Sequence, residues 1–304
     1  MFKNTPQRTK GILALIFLAV IYGFTGVLTR YLNIYFSLFQ QIYIRIFLGF
    51  VLGILLFRNS LDLSKLKKIS KEEWGLLILR SAASFLIGAV LWVKASTITK
   101  LANISFIDAL PLTATLSFLV GWDKASVRKI MLLLLSYIGV VILSVKDFSN
   151  ITSFGFGELL VLASGLFFAY RNISRMWHSK LLNDQEITIL MFFLGFIMLF
   201  FLTIFLGESL NFPISDINMV AVVLLGGVLM VINIFLTNYG FANVSLVLGN
   251  NLLNLEAIVA ILVGFFLYQE KPVAQELLGG VLIIFSVWQM SRINNKHNDK
   301  SSAG

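Results

Sequence analysis

Between Ile217 and Leu255 the chain carries no Asp, Glu, Lys or Arg. At Glu256 a carboxylate then enters a stretch that stays apolar on its far side, N-N-L-L-N-L-E-A-I-V-A-I-L-V-G-F-F-L. As one straight helix the neutral run would measure about 58 Å, nearly twice the apolar thickness of a bilayer. It must turn, and N-Y-G-F-A-N (Asn238–Asn243) holds the turn formers, so two helices joined there are expected, with Asn238 capping the turn. A carboxylate at such depth is costly unless it is protonated, paired or facing water. Asn250, Asn251 and Asn254 stand just before it, and a lipid-facing helix does not collect amides. The segment reads as one wall of a polar cavity inside a membrane protein.

Composition agrees. The 304 residues are 58% hydrophobic and 13% charged, whereas a soluble domain carries about 25% charged residues. Further uncharged runs, Gly11–Thr29 and Ile187–Gly207, exclude an ordinary water-soluble core. The alternation of a β-barrel is absent, so the fold class is an all-α polytopic membrane protein. With no Cys in the chain, disulfides, thiolate metal sites and Cys nucleophiles drop out. Met1–Lys10 is basic but no small-residue cleavage signal comes after it, so the first helix is expected to be retained rather than removed as a signal peptide.

Ten helices of spanning length are expected: Gly11–Tyr31, Phe39–Phe57, Trp74–Ala95, Leu101–Gly121 and Arg128–Val145 in a first half, then Gly157–Trp177, Ile187–Leu206, Ile217–Gly240, Ser245–Tyr268 and Val273–Ser291 in a second. The organisation is a tail 1–10, a repeat 11–146, a linker 147–156, a repeat 157–291 and a tail 292–304. With alternating helices, sixteen of the 24 Lys and Arg fall on the side of the amino terminus and five on the other. That bias places both termini in the cytoplasm. The net charge of +9 is then topological, and nucleic acid is not expected as a partner.

The halves resemble each other at a shift of 146–147 residues. Phe47–Val51 (F-L-G-F-V) meets Phe193–Ile197 (F-L-G-F-I), Leu101 and Asn103 meet Leu248 and Asn250, and Gly121–Lys124 (G-W-D-K) meets Tyr268–Lys271 (Y-Q-E-K). Five helices per half is an odd number, so the second half would insert upside down, the inverted-repeat plan of secondary transporters with a site near the midplane. The opening G-I-L-A-L-I-F-L-A-V-I-Y-G-F, its counterpart G-E-L-L-V-L-A-S-G-L-F-F-A-Y, and the closing L-N-L-E-A-I-V-A-I-L-V-G-F-F-L-Y-Q-E-K-P-V-A-Q-E-L-L-G-G-V-L-I-I-F-S-V resemble two copies of the EamA domain of the drug/metabolite transporter superfamily. The first copy departs from the pattern, with Asp123 where Glu is usual and Leu132 where Gly is expected, which weakens any special role for Asp123. The resemblance implies alternating access, small organic solutes, and a cavity lined by helices 1, 3, 4, 6, 8 and 9.

Candidate substrate-binding residues are Tyr22, Arg45, Trp92, Asp108, Arg171, Asn233, Asn250, Asn254 and Glu256. Asp108 and Glu256 are nearly pseudo-symmetric carboxylates, and Pro111 is expected to kink the helix beside Asp108. Asn243, Asn250 and Asn254 share one helical stripe, and Asn233 and Thr237 share a face of helix 8. The alternative for the amides is helix–helix bonding. Arg45 and Arg171 suit a carboxylate or phosphate; the alternative is snorkelling, which is the expected behaviour of Arg80 and Arg175. Tyr22 and Trp92 suit stacking on a flat substrate, or interfacial anchoring. His178 and His297 are expected to be solvated, and Glu270 and Lys271 to serve in an outer loop.

The functional expectation is a secondary transporter in the cytoplasmic (inner) membrane, favouring export of an amino acid or related metabolite. The alternative is an importer or exchanger of a nucleotide-like metabolite such as S-adenosylmethionine. No phosphate-binding G-x-x-x-x-G-K-[ST] motif occurs, so ATP is not the direct energy source, and protons are a candidate coupling ion. A membrane-embedded enzyme is the remote rival, opposed by an interior without His, Cys or a carboxylate cluster of metal spacing; no cofactor or metal is expected. A non-transporting receptor is the other rival, for which only the loop Arg58–Glu73 offers docking surface.

Overall fold

Ser37 caps the second helix through its hydroxyl, which takes the Gln40 N–H while Gln40 reaches back to the Ser37 N–H, and Asn183 with Glu186 repeats the device at the seventh. Such caps divide a nearly all-apolar chain into helices. The computed structural model describes residues 5–99, 104, 107–144, 155–208, 217–259, 262, 266 and 274–301. Among them lie α1 (Thr5–Leu32), α2 (Leu38–Phe57), α3 (Lys71–Ile98), α4 (Leu112–Leu119), α5 (Val127–Ser144), α6 (Phe156–Ser174), α7 (Asp184–Phe205), α8 (Ile217–Asn243), α9 (Leu246–Leu253) and α10 (Ala274–Ser301), and no strand.

Five stretches are long and apolar enough to cross a bilayer: Pro6–Thr25, Leu38–Ser60, Lys71–Ile98, Asp184–Phe205 and Met219–Asn243. Leu246–Val259 and Leu277–Ile293 are shorter apolar helices. The outward faces are apolar too. Leu55 (62% exposed), Phe201 (65%) and Val281 (62%) would be costly in water but are solvated by lipid.

The packing is reciprocal between the halves. Helix α1 packs on α8 and α9, as α6 packs on α3 and α4; α2 meets α8 as α7 meets α3; α2 pairs with α7, α4 with α9, and α5 with α10. Glycines set the closest approaches. A Cβ on Gly139 of α5 would stand 2.9 Å from the Gly279 carbonyl oxygen of α10, so only hydrogen fits there. Gly49 and Gly53 seat Phe192 and Ile189 in the α2–α7 contact.

Several expectations are corrected. The turn in the neutral run falls not within Asn238–Asn243 but at Val244–Ser245, where Ser245 caps α9. Gly240 lies within α8, and its lack of a side chain makes room for Leu15 of α1, whose Cδ2 stands 2.5 Å from where a Cβ would be. Asn238 therefore caps nothing and lies buried inside α8. The fourth helix of each half is broken rather than continuous: after Asp108 the chain turns at Ala109–Leu110, and after α9 it turns at Asn254–Leu255 before resuming at Glu256–Val259. The three-amide stripe dissolves accordingly, since Asn243 belongs to α8 and donates to the Tyr239 carbonyl.

Arg80 does not snorkel; it is fully buried. Arg175 does not reach to an interface either, but pairs with Asp184. His178 is buried, not solvated, with Nδ1 2.6 Å from Glu73 Oε1. The polar connection after α2 is folded rather than open: Glu186 takes the Lys65 ammonium at 2.9 Å and the Asp62 N–H at 3.0 Å. Asp123 also has a role, accepting the Val247 N–H in the first turn of α9 at 3.2 Å. The link Lys146–Phe154, Glu270, Lys271 and the side chain of His297 lie outside the described residues.

Candidate functional site

A π-helical segment, Ala82–Gly88, interrupts α3, and such a bulge rotates the C-terminal part of a helix relative to its N-terminal part. Across this one, Ser84, Phe85, Ala89 and Trp92 come to face a cavity of about 460 Å³, within the usual range for small-molecule sites. The other walls are the middle of α1, Arg45 of α2, the break before α4, the second half of α6, the middle of α8, and α9 with its break. The broken fourth helices and the reciprocal α1/α6 pair thus meet at one place. That is where a discontinuous helix turns its polar backbone toward a lined space rather than lipid.

All nine sequence-derived candidates, Tyr22, Arg45, Trp92, Asp108, Arg171, Asn233, Asn250, Asn254 and Glu256, line this cavity. Their side chains divide into two groups. Among the acidic and amide residues, Asp108 Oδ2 accepts the Trp92 indole N–H at 2.9 Å. Glu256 lines the same cavity, and among the described residues no side-chain hydrogen bond to Glu256 is found. Asn254 donates to Ser136 at 2.9 Å, which leaves its oxygen free, and Asn233 accepts weakly from Thr237 at 3.5 Å.

Among the basic residues, Arg171 reaches Tyr22 Oη at 3.4 Å and Asn172 Oδ1 at 3.2 Å, and lies over the Phe168 ring, 4.8 Å from its centroid. Arg45 donates to the Gln41 carbonyl at 2.9 Å, to Gln41 Oε1 at 3.3 Å and to Thr29 Oγ1 at 3.4 Å. Among the described residues no ion pair joins these arginines to the cavity carboxylates; the ion pairs present lie elsewhere.

Sequence reasoning missed several polar wall residues. Asn172 donates to Thr113 at 3.2 Å, and both line the cavity. The signal was present, because Asn172 is an amide inside an apolar helix, as Asn250 is. Thr25 and Thr29 extend the Tyr22 face of α1 at helical spacing and also line it. No His/Cys/Asp/Glu group suited to a metal occurs among the described residues.

Comparison with known proteins agrees with this architecture. The profile of the EamA-like transporter family matches residues 9–145 and again 155–292. A protein of Synechocystis sp. that bears the name of an uncharacterized transporter is 24% identical over 241 residues, 76% of this chain and 69% of that one. A crystal structure of a protein with 14% identity superposes with a TM-score of 0.77, covering 95% of this chain and 98% of that one, and speaks for the fold alone. Family and relative both point to a membrane transporter rather than an enzyme.

Proposed function

Since this chain belongs to the EamA-like transporter family, we propose that it is a secondary transporter of small zwitterionic metabolites, amino acids or their close relatives, working by alternating access in the direction of export. One observation carries the substrate class. Arginines and carboxylates line a single cavity, and among the described residues they do not pair with each other. Charges of opposite sign kept apart in a low dielectric are costly unless a ligand supplies the complement. A substrate carboxylate at Arg171 and an ammonium at Asp108 and Glu256 would supply both.

The reciprocal packing of the halves supports ten spans arranged as two inverted repeats, and the Lys/Arg distribution supports insertion in the cytoplasmic membrane with both termini inside. Glu256, at the cavity wall, is the group through which a proton could alternate with the substrate cation, giving proton-coupled exchange. Purified protein in liposomes with an imposed pH gradient tests this. Saturable flux of at least one zwitterionic amino acid is expected, falling by at least tenfold in Glu256→Gln and in Arg171→Gln. Flux confined to solutes without an ammonium group would sink the reading.

A second reading rests on ring-bearing walls. Tyr22, Phe85, Trp92 and Phe168 all line the cavity, and such faces suit a base-bearing metabolite of the S-adenosylmethionine kind, which carries the same zwitterionic end. Competition decides between the two readings: S-adenosylmethionine out-competing free methionine by an order of magnitude favours the second, and equal competition the first.

A further inference from the structure

Arg45 and Arg171 line the same cavity but are anchored at different levels of α1. Arg171 bonds to Tyr22 and Arg45 to Thr29, both on α1. Seven residues of helix separate those contacts, about 10 Å along the axis. A carboxylate seated at the Tyr22 level leaves Arg45, at the Thr29 level, unmatched.

Arg45 is built in rather than dangling. Its residue is 6% exposed. Its stem lies against Gly226 of α8, where a Cβ would approach Cδ to 3.3 Å. Its Nε is fixed by the Gln41 carbonyl, and Gln41 is itself anchored by donating to Asn33. The groups that hold the guanidinium, on Gln41 and Thr29, are neutral, and the residue faces the cavity. Arg80 provides the contrast. It too is buried without an ion pair, but its Nε and Nη2 bond to the Arg171 carbonyl and to Asn238, its Nη1 has no partner among the described residues, and it does not line the cavity. A buried, pre-oriented guanidinium held by neutral groups at the wall of a cavity is matched by an anion.

We propose that Arg45, oriented by Gln41 and Thr29, is a second anion seat in the cavity, for a small singly charged group. Two sources offer that chemistry: the distal carboxylate of an acidic substrate, or a free halide. The seat goes beyond the zwitterion reading, because it needs neither an ammonium ligand nor transport.

Equilibrium binding to the purified full chain in detergent tests it, with radiolabelled chloride and radiolabelled glutarate as probes. Saturable binding of either is expected, at least tenfold weaker in Arg45→Gln. In Arg45→Lys it should be weakened but retained, since a point charge replaces the two-pronged donor. Thr29→Val, which leaves the cation in place, should weaken it by a few-fold. Chloride binding assigns the seat to a halide; glutarate binding without chloride binding assigns it to a substrate acid. Binding of neither probe to the wild type overturns the proposal, and so does undiminished binding in a monodisperse Arg45→Gln protein. If Arg45→Gln is not monodisperse, the Lys and Val variants decide by the same criterion. Because no flux is read, even a protein that moves no amino acid reports whether the seat exists.

Discussion

Arg80 Nη2 donates to Asn238 Oδ1 at 2.8 Å and to the Arg171 carbonyl at 3.1 Å, one helical turn before Ser84 and Phe85 at the cavity wall. Asn238 continues the chain of bonds through Nδ2 to Thr188 Oγ1 at 3.0 Å. Helices α3, α6, α7 and α8 are thereby joined through two side chains beneath the site. Asn238→Leu should strip the cation of its side-chain acceptor and leave Thr188 without that donor, costing about 1–3 kcal/mol. Thermal unfolding in detergent, read as a double-mutant cycle with Arg80→Leu, should give a double variant less destabilised than the sum of the singles; strict additivity would contradict the coupling.

Phe85 gives a way to change the cavity without touching a polar group. Its ring is buried, stacks on Phe192 with centroids 5.5 Å apart, and has its Cδ2 where a Cβ on Gly195 of α7 would collide with it. Gly195→Ala must push the ring toward the cavity. Substrate affinity should fall by about tenfold, roughly 1.4 kcal/mol, and Phe85→Leu in the same chain should restore most of it. A double variant as weak as Gly195→Ala alone would show that the glycine acts otherwise.

The Trp92–Asp108 bond separates the ring of Trp92 from its N–H. Trp92→Phe keeps an aromatic wall but removes a donor to a carboxylate, an interaction worth about 1.5–3 kcal/mol. Amino-acid binding should weaken by about tenfold or more, and adding Trp92→Phe to an Asp108→Asn protein should bring little further loss, because the indole N–H acts only through that carboxylate. Equal affinities for Trp92→Phe and wild type would mean the indole N–H is not used.

His178 predicts a pH effect outside the spanning segments. Burial first, and then the Arg80 guanidinium, push it down from 6.5 to about 4, against the upward pull of the Glu73 carboxylate. The folded protein thus holds this imidazole neutral more tightly than the unfolded chain does. Its stabilising contribution is complete above about pH 6.5 and is lost as pH falls toward 4. The unfolding temperature should drop across that window, and His178→Asn, whose amide can still donate to Glu73, should flatten the drop. An identical pH profile for the variant would remove His178 from the account.

The cavity was legible in the sequence because polar side chains inside apolar helices are costly, and each of Asp108, Asn233, Asn250, Asn254 and Glu256 stands out against its neighbours. The features that were not legible depended on neighbours in space. Arg80 reads as a snorkelling residue from its distance to the helix end, but α6 and α8 cover that end. Gly240 reads as a turn former, but its lack of a side chain makes room for Leu15. His178 reads as a loop residue, yet the 3₁₀ turn Arg175–Trp177 carries it under α3 to Glu73. The break at Asn254–Leu255 has no proline to announce it, unlike the one before Pro111.

The reciprocal helix contacts divide into two kinds, and the division bears on motion. The α1–α8 and α6–α3 contacts form a related pair made of different side chains, so one can loosen while the other tightens. The α5–α10 and α2–α7 contacts map onto themselves and have no counterpart to trade with. A molecule that alternates between two arrangements related by a pseudo-two-fold rotation keeps the second kind fixed, as a seesaw keeps its pivot. In this cysteine-free chain, introduced disulfides give a direct reading. One joining α5 to α10 should leave turnover intact, whereas one joining α3 to α6 should arrest it; the reverse pattern would place the pivot elsewhere.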